Sequence, residues 1–384
     1  MGLCDWNGFI FCIWGGESGL DTSTQNQFVF AGSYAPPEQD AIHVLRFDGK
    51  DGVLERIGGV NGIENATFLA IDPSRRLVFA VSETETDSMA VSYSFDPAEG
   101  NLKEISRQPT YGGYACHLQL HPSGKWLLAV NYLNGSAVCV YPVAEGGALG
   151  PAACRVEHTG RGVREDRQER AHPHSVFRVP GRDDRYLVPD LGTDTVYAYA
   201  FDALSGRLQL LSENRQFAGG GPRHLTYHPT LPLVYVIHEL GASVTVHELD
   251  AESGVMRQLQ RLSTLPEGRS PDEFAAGEIC AEIVVSESGE FLYGSNRQHD
   301  TIAVFRIGPD GLLAPVGHAP SGGSFPRNFC LVEGGRHLLA ANQKSDRISV
   351  HSIGSDGVPV LTGAHCEVTR PAFVKAIPAR DFTV

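Results

Sequence analysis

Seven short apolar runs recur along the chain, at Phe28 to Tyr34, Leu77 to Glu83, Trp126 to Tyr132, Tyr186 to Gly192, Leu233 to Glu239, Phe291 to Arg297 and His337 to Gln343. Their starts lie 49, 49, 60, 47, 58 and 46 residues apart. That interval matches four short strands with their turns, the unit of a propeller blade. A second, β-branched and largely alternating run follows each one: Ala41 to Phe47, Met89 to Phe95, Ser136 to Val143, Thr195 to Phe201, Ser243 to Leu249, Thr301 to Ile307 and Arg347 to Ile353. Each second run meets a glycine turn, such as FDGKDG at 47–52 or GSDG at 354–357, where a hairpin corner needs positive φ. A more polar strand then suits the solvent edge of a blade.

An inner strand precedes six of the seven runs, at Phe68 to Pro73, His117 to Pro122, His174 to Pro180, His224 to Pro229, Glu282 to Glu287 and Asn328 to Glu333. The missing one lies at the other end of the chain, where Pro371 to Pro378 repeats the proline spacing of Pro222 to Pro229. It is expected to insert beside Phe28 to Ala31 and close the ring, removing an exposed sheet edge. The pattern predicts an all-β chain, a seven-bladed β-propeller with four antiparallel strands per blade, forming one domain over 28–384. Residues 1–27 fit no repeat. Gly8 to Trp14 is apolar, but the first basic residue is Arg46, so the stretch lacks the positive start of a secretory signal and is expected to be a poorly ordered or surface-docked leader, with a cryptic signal as the lesser reading.

Composition narrows the function. The formal net charge of −14 argues against nucleic acid, whose phosphates call for a basic field, and no apolar run is long enough to span a membrane. An anionic ligand would have to meet a local cluster of arginines. The eight cysteines form no CxxC pair, and several sit inside strand patterns; a reducing cytoplasm is the expected compartment. A closed ring hides its edges without a partner, so a monomer is expected.

The start of one strand and the end of the next meet on one side of a hairpin, so two sets of residues should converge at one face of the ring. Starts of inner strands bring His117, His174, His224, Glu282 and Asn328, with Cys116, Arg223 and Arg327 one position ahead. The recurring runs end in Tyr34, Glu83, Tyr132, Gly192, Glu239, Arg297 and Gln343, preceded in three blades by Asn131, Asn296 and Asn342. His121 and His228, beside turn prolines, read instead as structural groups bonding backbone at the far end of their hairpins. Arg–Glu pairs could also serve only to tie blades together.

The ordered strings GGGPRHLTYHP, YVIHEL, FLYGSNRQHDTIAVF, SFPRNF, LLAANQKSDRISV and RQERAHPHSV with PDLGTDTVYAY resemble the seven-bladed propeller lactonase family, which includes 6-phosphogluconolactonases and carboxymuconate cyclases. The resemblance runs from about Gly32 to the end of the chain. It implies hydrolysis of a sugar lactone, 6-phosphogluconolactone in the pentose phosphate pathway first; no cofactor or metal is expected. It also implies catalytic roles for Arg223, Glu239, Arg297 and the histidine of the HPH motif, His174, with His172 as the fallback.

Either Glu239 or His174 could serve as general base, and arginines beside the carboxylate would favour the histidine. Arg223 or Arg297 would stabilise the oxyanion while Arg327 grips phosphate. Asn131, Asn296, Asn342 and Gln343 would read hydroxyls, and His117, His224 and Glu282 complete the expected substrate set. His238 stands where a small amide is expected. Three alternatives stay open: a muconolactone cycloisomerase, a metal site on His117, His174, His224 and Glu282, and a non-enzymatic scaffold.

Overall fold

Seven four-stranded antiparallel sheets build the chain, which is described over residues 26–274 and 279–382 of a computed structural model. The expectation for the leader lies outside the described residues. Blade 1 combines Asn26–Ser33, Ile42–Asp48 and Val53–Val60 with Pro371–Pro378 on its inner side, and the other six blades each use four consecutive strands. The closing strand pairs antiparallel beside Phe28 to Ala31, with Phe28 opposite Ile377 and Ala31 opposite Val374.

The recurring apolar runs owe their unbroken hydrophobicity to burial on both faces. In Leu77–Ser82 all six residues are buried. Val78 and Ala80 pack in the cluster shared with blade 1, whereas Leu77, Phe79 and Val81 pack in the cluster shared with blade 3. Each core cluster joins one pair of neighbouring blades, so the hydrophobic core is a ring of interfaces and the axis is left to other side chains. The glycine ending each predicted turn has positive φ, from 66° at Gly52 to 86° at Gly147. His121 and His228 bond backbone at the far end of their hairpins, as expected: His121 Nδ1 accepts from Ser123 N at 3.0 Å and His228 Nδ1 from Leu231 N at 3.0 Å. Blade 4 departs from the pattern, because its inner strand shrinks to Phe177–Arg178 and His174 precedes it outside the ladder.

Burial also sets a pH limit on the ring. Desolvation lowers His43 and His247 to about 4 and pushes His117, His174 and His238 well below the ordinary imidazole range. The unfolded chain binds protons at these sites below about pH 6.5 while the folded chain does not, so stability is present above that pH and falls as pH drops through it. The melting temperature is expected to decline between about pH 6.5 and 5, before ordinary carboxylates titrate. A flat profile over that window would show that these imidazoles do not control acid stability.

Candidate active site

A repeated irregularity aims side chains into the channel mouth. The ladder between the inner strand and its neighbour slips at the same place in five blades, skipping Cys116, Arg223, Ala281 with Glu282, Arg327 and Ala372. A bulge of this kind kinks a strand and re-aims the extra residue. Two of these residues, Cys116 and Arg327, line a cavity of about 390 Å³ at one mouth of the channel. The ends of the recurring runs line it too, through Tyr34, Glu83, Tyr132, Glu239, Arg297 and Gln343, together with His174.

Glu239 is the centre of charge at this mouth. Its Oε1 accepts from Arg167 Nη2 at 2.7 Å and its Oε2 from Arg223 Nε at 3.0 Å. Arg297 Nη2 stands 2.9 Å from the same Oε2 as a charge contact without hydrogen-bond alignment, and its Nε and Nη2 have no hydrogen-bond acceptor among the described residues. Burial alone would raise the Glu239 carboxyl, but Arg297, Arg167 and Arg223 together hold it well below the usual carboxylate range. Burial and Arg297 lower Arg223 to about 10, which leaves it charged at neutral pH. Burial, then Arg223, His224 and Arg327, keep the His174 imidazole neutral, and its Nδ1 has no partner among the described residues. A carboxylate so fully engaged is an anchor for cations and a poor proton acceptor.

Arg167 escaped the sequence reading. It belongs to the long segment that stretches the spacing between blades 3 and 4 to 60 residues, and that excess length was the available signal. Gln168 pins the segment by donating to Leu191 O and Asp194 Oδ1, both at 2.8 Å. Gly192, blade 4's counterpart of Glu239, makes room for it: a Cβ there would meet Arg170 O at 1.9 Å. Tyr34 and Glu83, which the register brings to this face without an assigned role, line the mouth as well, together with Lys344, which the register does not bring there.

Several expected residues lie elsewhere. The amide Nδ2 of Asn131 donates to Thr110 O at 2.8 Å and Ser136 O at 2.7 Å, that of Asn296 to Thr264 O at 2.7 Å, and that of Asn342 to Ser321 O at 3.0 Å. These buried amides tie blade corners, and of the four expected to read hydroxyls only Gln343 lines the cavity. Successive residues of a strand face opposite ways, so the residue before each strand end turns into the blade. His238 follows the same rule, meeting Thr245 Oγ1 at 2.8 Å inside its blade. His172 stacks on Tyr132 with centroids 4.5 Å apart and bonds Glu169 at 3.0 Å, so it supports the Tyr132 wall from behind.

His117, His224 and Glu282 sit deeper than expected, lining a wider funnel of about 790 Å³ on the opposite side of the disc. Arg223 Nη1 lies 3.2 Å from His224 Nε2, and a guanidinium can only donate, so Nε2 is the acceptor and Nδ1–H points to Glu282 at 3.1 Å. His117 and His174 each stand 5.5 Å from the His224 ring. Both His224 nitrogens are thus engaged by protein groups. Among the described residues no three His, Cys, Asp or Glu side chains converge as metal ligands would.

A small-molecule site with a surplus of cations, set at one mouth of a closed seven-bladed propeller, is the class that fold and site define. The chain belongs to the lactonase family of seven-bladed β-propellers, whose family model matches residues 28–376. It is 30% identical over 303 residues to a 6-phosphogluconolactonase of Bacillus subtilis, covering 78% of this chain and 83% of that one. It is 30% identical over 313 residues to a protein of the same name from Formosa agariphila, covering 79% and 86%. The periplasmic gluconolactonase PpgL of Pseudomonas aeruginosa superposes with a TM-score of 0.83 at 30% identity, over 92% of this chain and 99% of that one.

Proposed function

We propose that the protein hydrolyses an anionic sugar lactone, with 6-phosphogluconolactone opened to 6-phosphogluconate as the first candidate. The observation that carries this reading is the charge at the mouth. Among the described residues, Arg167, Arg223, Arg297, Arg327 and Lys344 line the cavity and the chamber beneath it, against two carboxylates, Glu83 and Glu239. On a chain of net charge −14 this is a local reversal of sign, and it draws an anion to one place.

The arginines divide into two groups. Arg167, Arg223 and Arg297 surround Glu239 and are held rigidly, as oxyanion donors must be to act without reorganising. Arg327 stands at the cavity wall with its guanidinium 5.2 Å from the Tyr34 ring centre, and Lys344 Nζ lies 3.9 Å from the Phe325 ring centre. These two are the phosphate grip, and Gln343 reads a hydroxyl. Neutral His174 orients the attacking water through an open ring nitrogen.

The test is timed opening of 6-phosphogluconolactone above the spontaneous background, with gluconolactone as the unphosphorylated control. Arg327→Ala is expected to raise KM for the phosphorylated lactone by about 10- to 100-fold, the weight of one charge-assisted hydrogen bond. The control substrate should be little affected. Equal effects on both substrates would remove Arg327 from phosphate recognition.

A further inference from the structure

Among the described residues two carboxylates line the mouth, and only one is saturated with arginine. Glu83 accepts a hydrogen bond from Tyr34 OH at 2.8 Å on Oε1 and a short one from Thr67 Oγ1 on Oε2. The nearest ion-pair contact to it is Arg327 Nη2 at 3.9 Å, the outer limit of such a pair. Each oxygen of a carboxylate has two lone-pair sites, so each retains one for a further donor.

Beneath the mouth lies a separate chamber of about 10 Å³, bounded by Glu83, His174, Arg223, Arg327, Thr67 and His224 among others. That is room for about one water, and the walls offer the several polar partners that a buried water needs. His174 faces it, 6% exposed and with Nδ1 unpartnered. Glu83 lines both the chamber and the mouth.

We propose that this chamber seats the hydrolytic water and that Glu83 is the general base that takes its proton. The assignment rests on the lactonase reading above. The water oxygen bonds to the lactone carbonyl carbon as one of its protons passes to Glu83. The carbonyl pair moves onto its oxygen, facing the arginines. Collapse restores the C=O bond and breaks the ring C–O bond, and the departing ring oxygen takes the proton back from Glu83. The product is the open hydroxy acid, and the carboxylate is regenerated.

Charge selects Glu83 over its two neighbours. Protonating His174 would place a third cation beside Arg223 and Arg327, and protonating Glu239 would strip three arginines of their shared anion. Protonating Glu83 neutralises a charge that has only a distant partner. Its bonds to Tyr34 and Thr67 hold the group in place without quenching it.

The experiment compares wild type, Glu83→Gln and Glu83→Ala on 6-phosphogluconolactone and on gluconolactone, with melting temperature as a check on folding. Glu83→Gln, nearly isosteric, is expected to lower kcat by about 10²- to 10⁴-fold with KM within about threefold. Glu83→Ala should regain part of its kcat on adding formate, which fits the vacated space and supplies a carboxylate. Wild-type turnover no faster than the spontaneous reaction on both lactones would overturn the lactonase reading and the base with it. An active wild type whose kcat survives in Glu83→Gln, or a Glu83→Ala variant indifferent to formate, would overturn the base alone.

Discussion

Glu239→Gln is expected to lower kcat/KM by about 10²- to 10³-fold and to destabilise the fold by roughly 3–5 kcal/mol. The carboxylate is 2% exposed and is shared by Arg167, Arg223 and Arg297 at 2.7 to 3.0 Å. Glutamine keeps the volume but removes the negative charge and brings an NH₂ group against guanidinium donors. Three buried cations then face one another with no counter-ion, and they can relax only by leaving the geometry that makes them useful. Arg297→Ala in the same assays should cost a similar factor in turnover and less stability, because it relieves crowding of cations while keeping the anion paired. Near-normal kinetics in both variants would show that the clamp only braces the blades, the reading that an Arg–Glu cluster in a propeller always invites.

The two carboxylates illustrate a division of labour that composition alone cannot show. Glu83 and Glu239 end equivalent runs in blades 2 and 5, and the repeat pattern makes them interchangeable. Their surroundings separate them. At the start of the inner strand of the same blade, Thr67 lies beside Glu83 and Arg223 beside Glu239. One neutral hydroxyl against one guanidinium, followed by Arg297 from the next blade and Arg167 from the segment between blades 3 and 4, gives the two carboxylates different charge surroundings.

This contrast marks where sequence reasoning reaches and where it stops. The repeat period and the alternating second runs carried the architecture, including closure by Pro371–Pro378, because every blade obeys the same burial rule. They also brought Arg223, Glu239, Arg297, Arg327 and Gln343 to one mouth. They failed at single-residue register: Asn131, Asn296 and Asn342 occupy the blade-facing side of a two-residue alternation whose other side faces the cavity. The depth of His117, His224 and Glu282 was hidden for a related reason, since the bulge beside them shifts which residue of a pair points to the mouth. Arg167 comes from an irregular segment, where no periodicity speaks and only the stretched spacing hints that something crosses the face.

Truncation after Arg370 is expected to prevent the protein from folding stably at 37 °C, although it removes only one of the 28 described strands. The deletion removes the inner strand of blade 1 and with it the ladder from Gln27 opposite Pro378 to Ser33 opposite Pro371. It also takes Phe373 and Phe382 from the core between blades 1 and 2, and Val374 from the core between blades 7 and 1. Burial of three such side chains is worth about 1.5–3 kcal/mol each, and the exposed edge of Asn26–Ser33 becomes a template for pairing with other chains. Their sum approaches the whole stability of an ordinary domain, about 5–15 kcal/mol.

A single substitution isolates one part of this closure. Phe382 sits on the final turn, Ala379–Phe382, edge-on to Phe28 and Phe95 with centroids at 5.4 and 5.2 Å, and its carbonyl accepts from Arg76 Nε at 3.1 Å. Phe382→Ala should therefore cost about 3–5 kcal/mol while the strand itself stays paired. Soluble, cooperatively melting protein after truncation at Arg370 would mean that six complete blades suffice and that the C-terminal strand is a seal on an already stable ring. Aggregation of the truncated chain beside a folded but weakened Phe382→Ala variant is the outcome expected if the ring holds together only when its last strand closes the first blade.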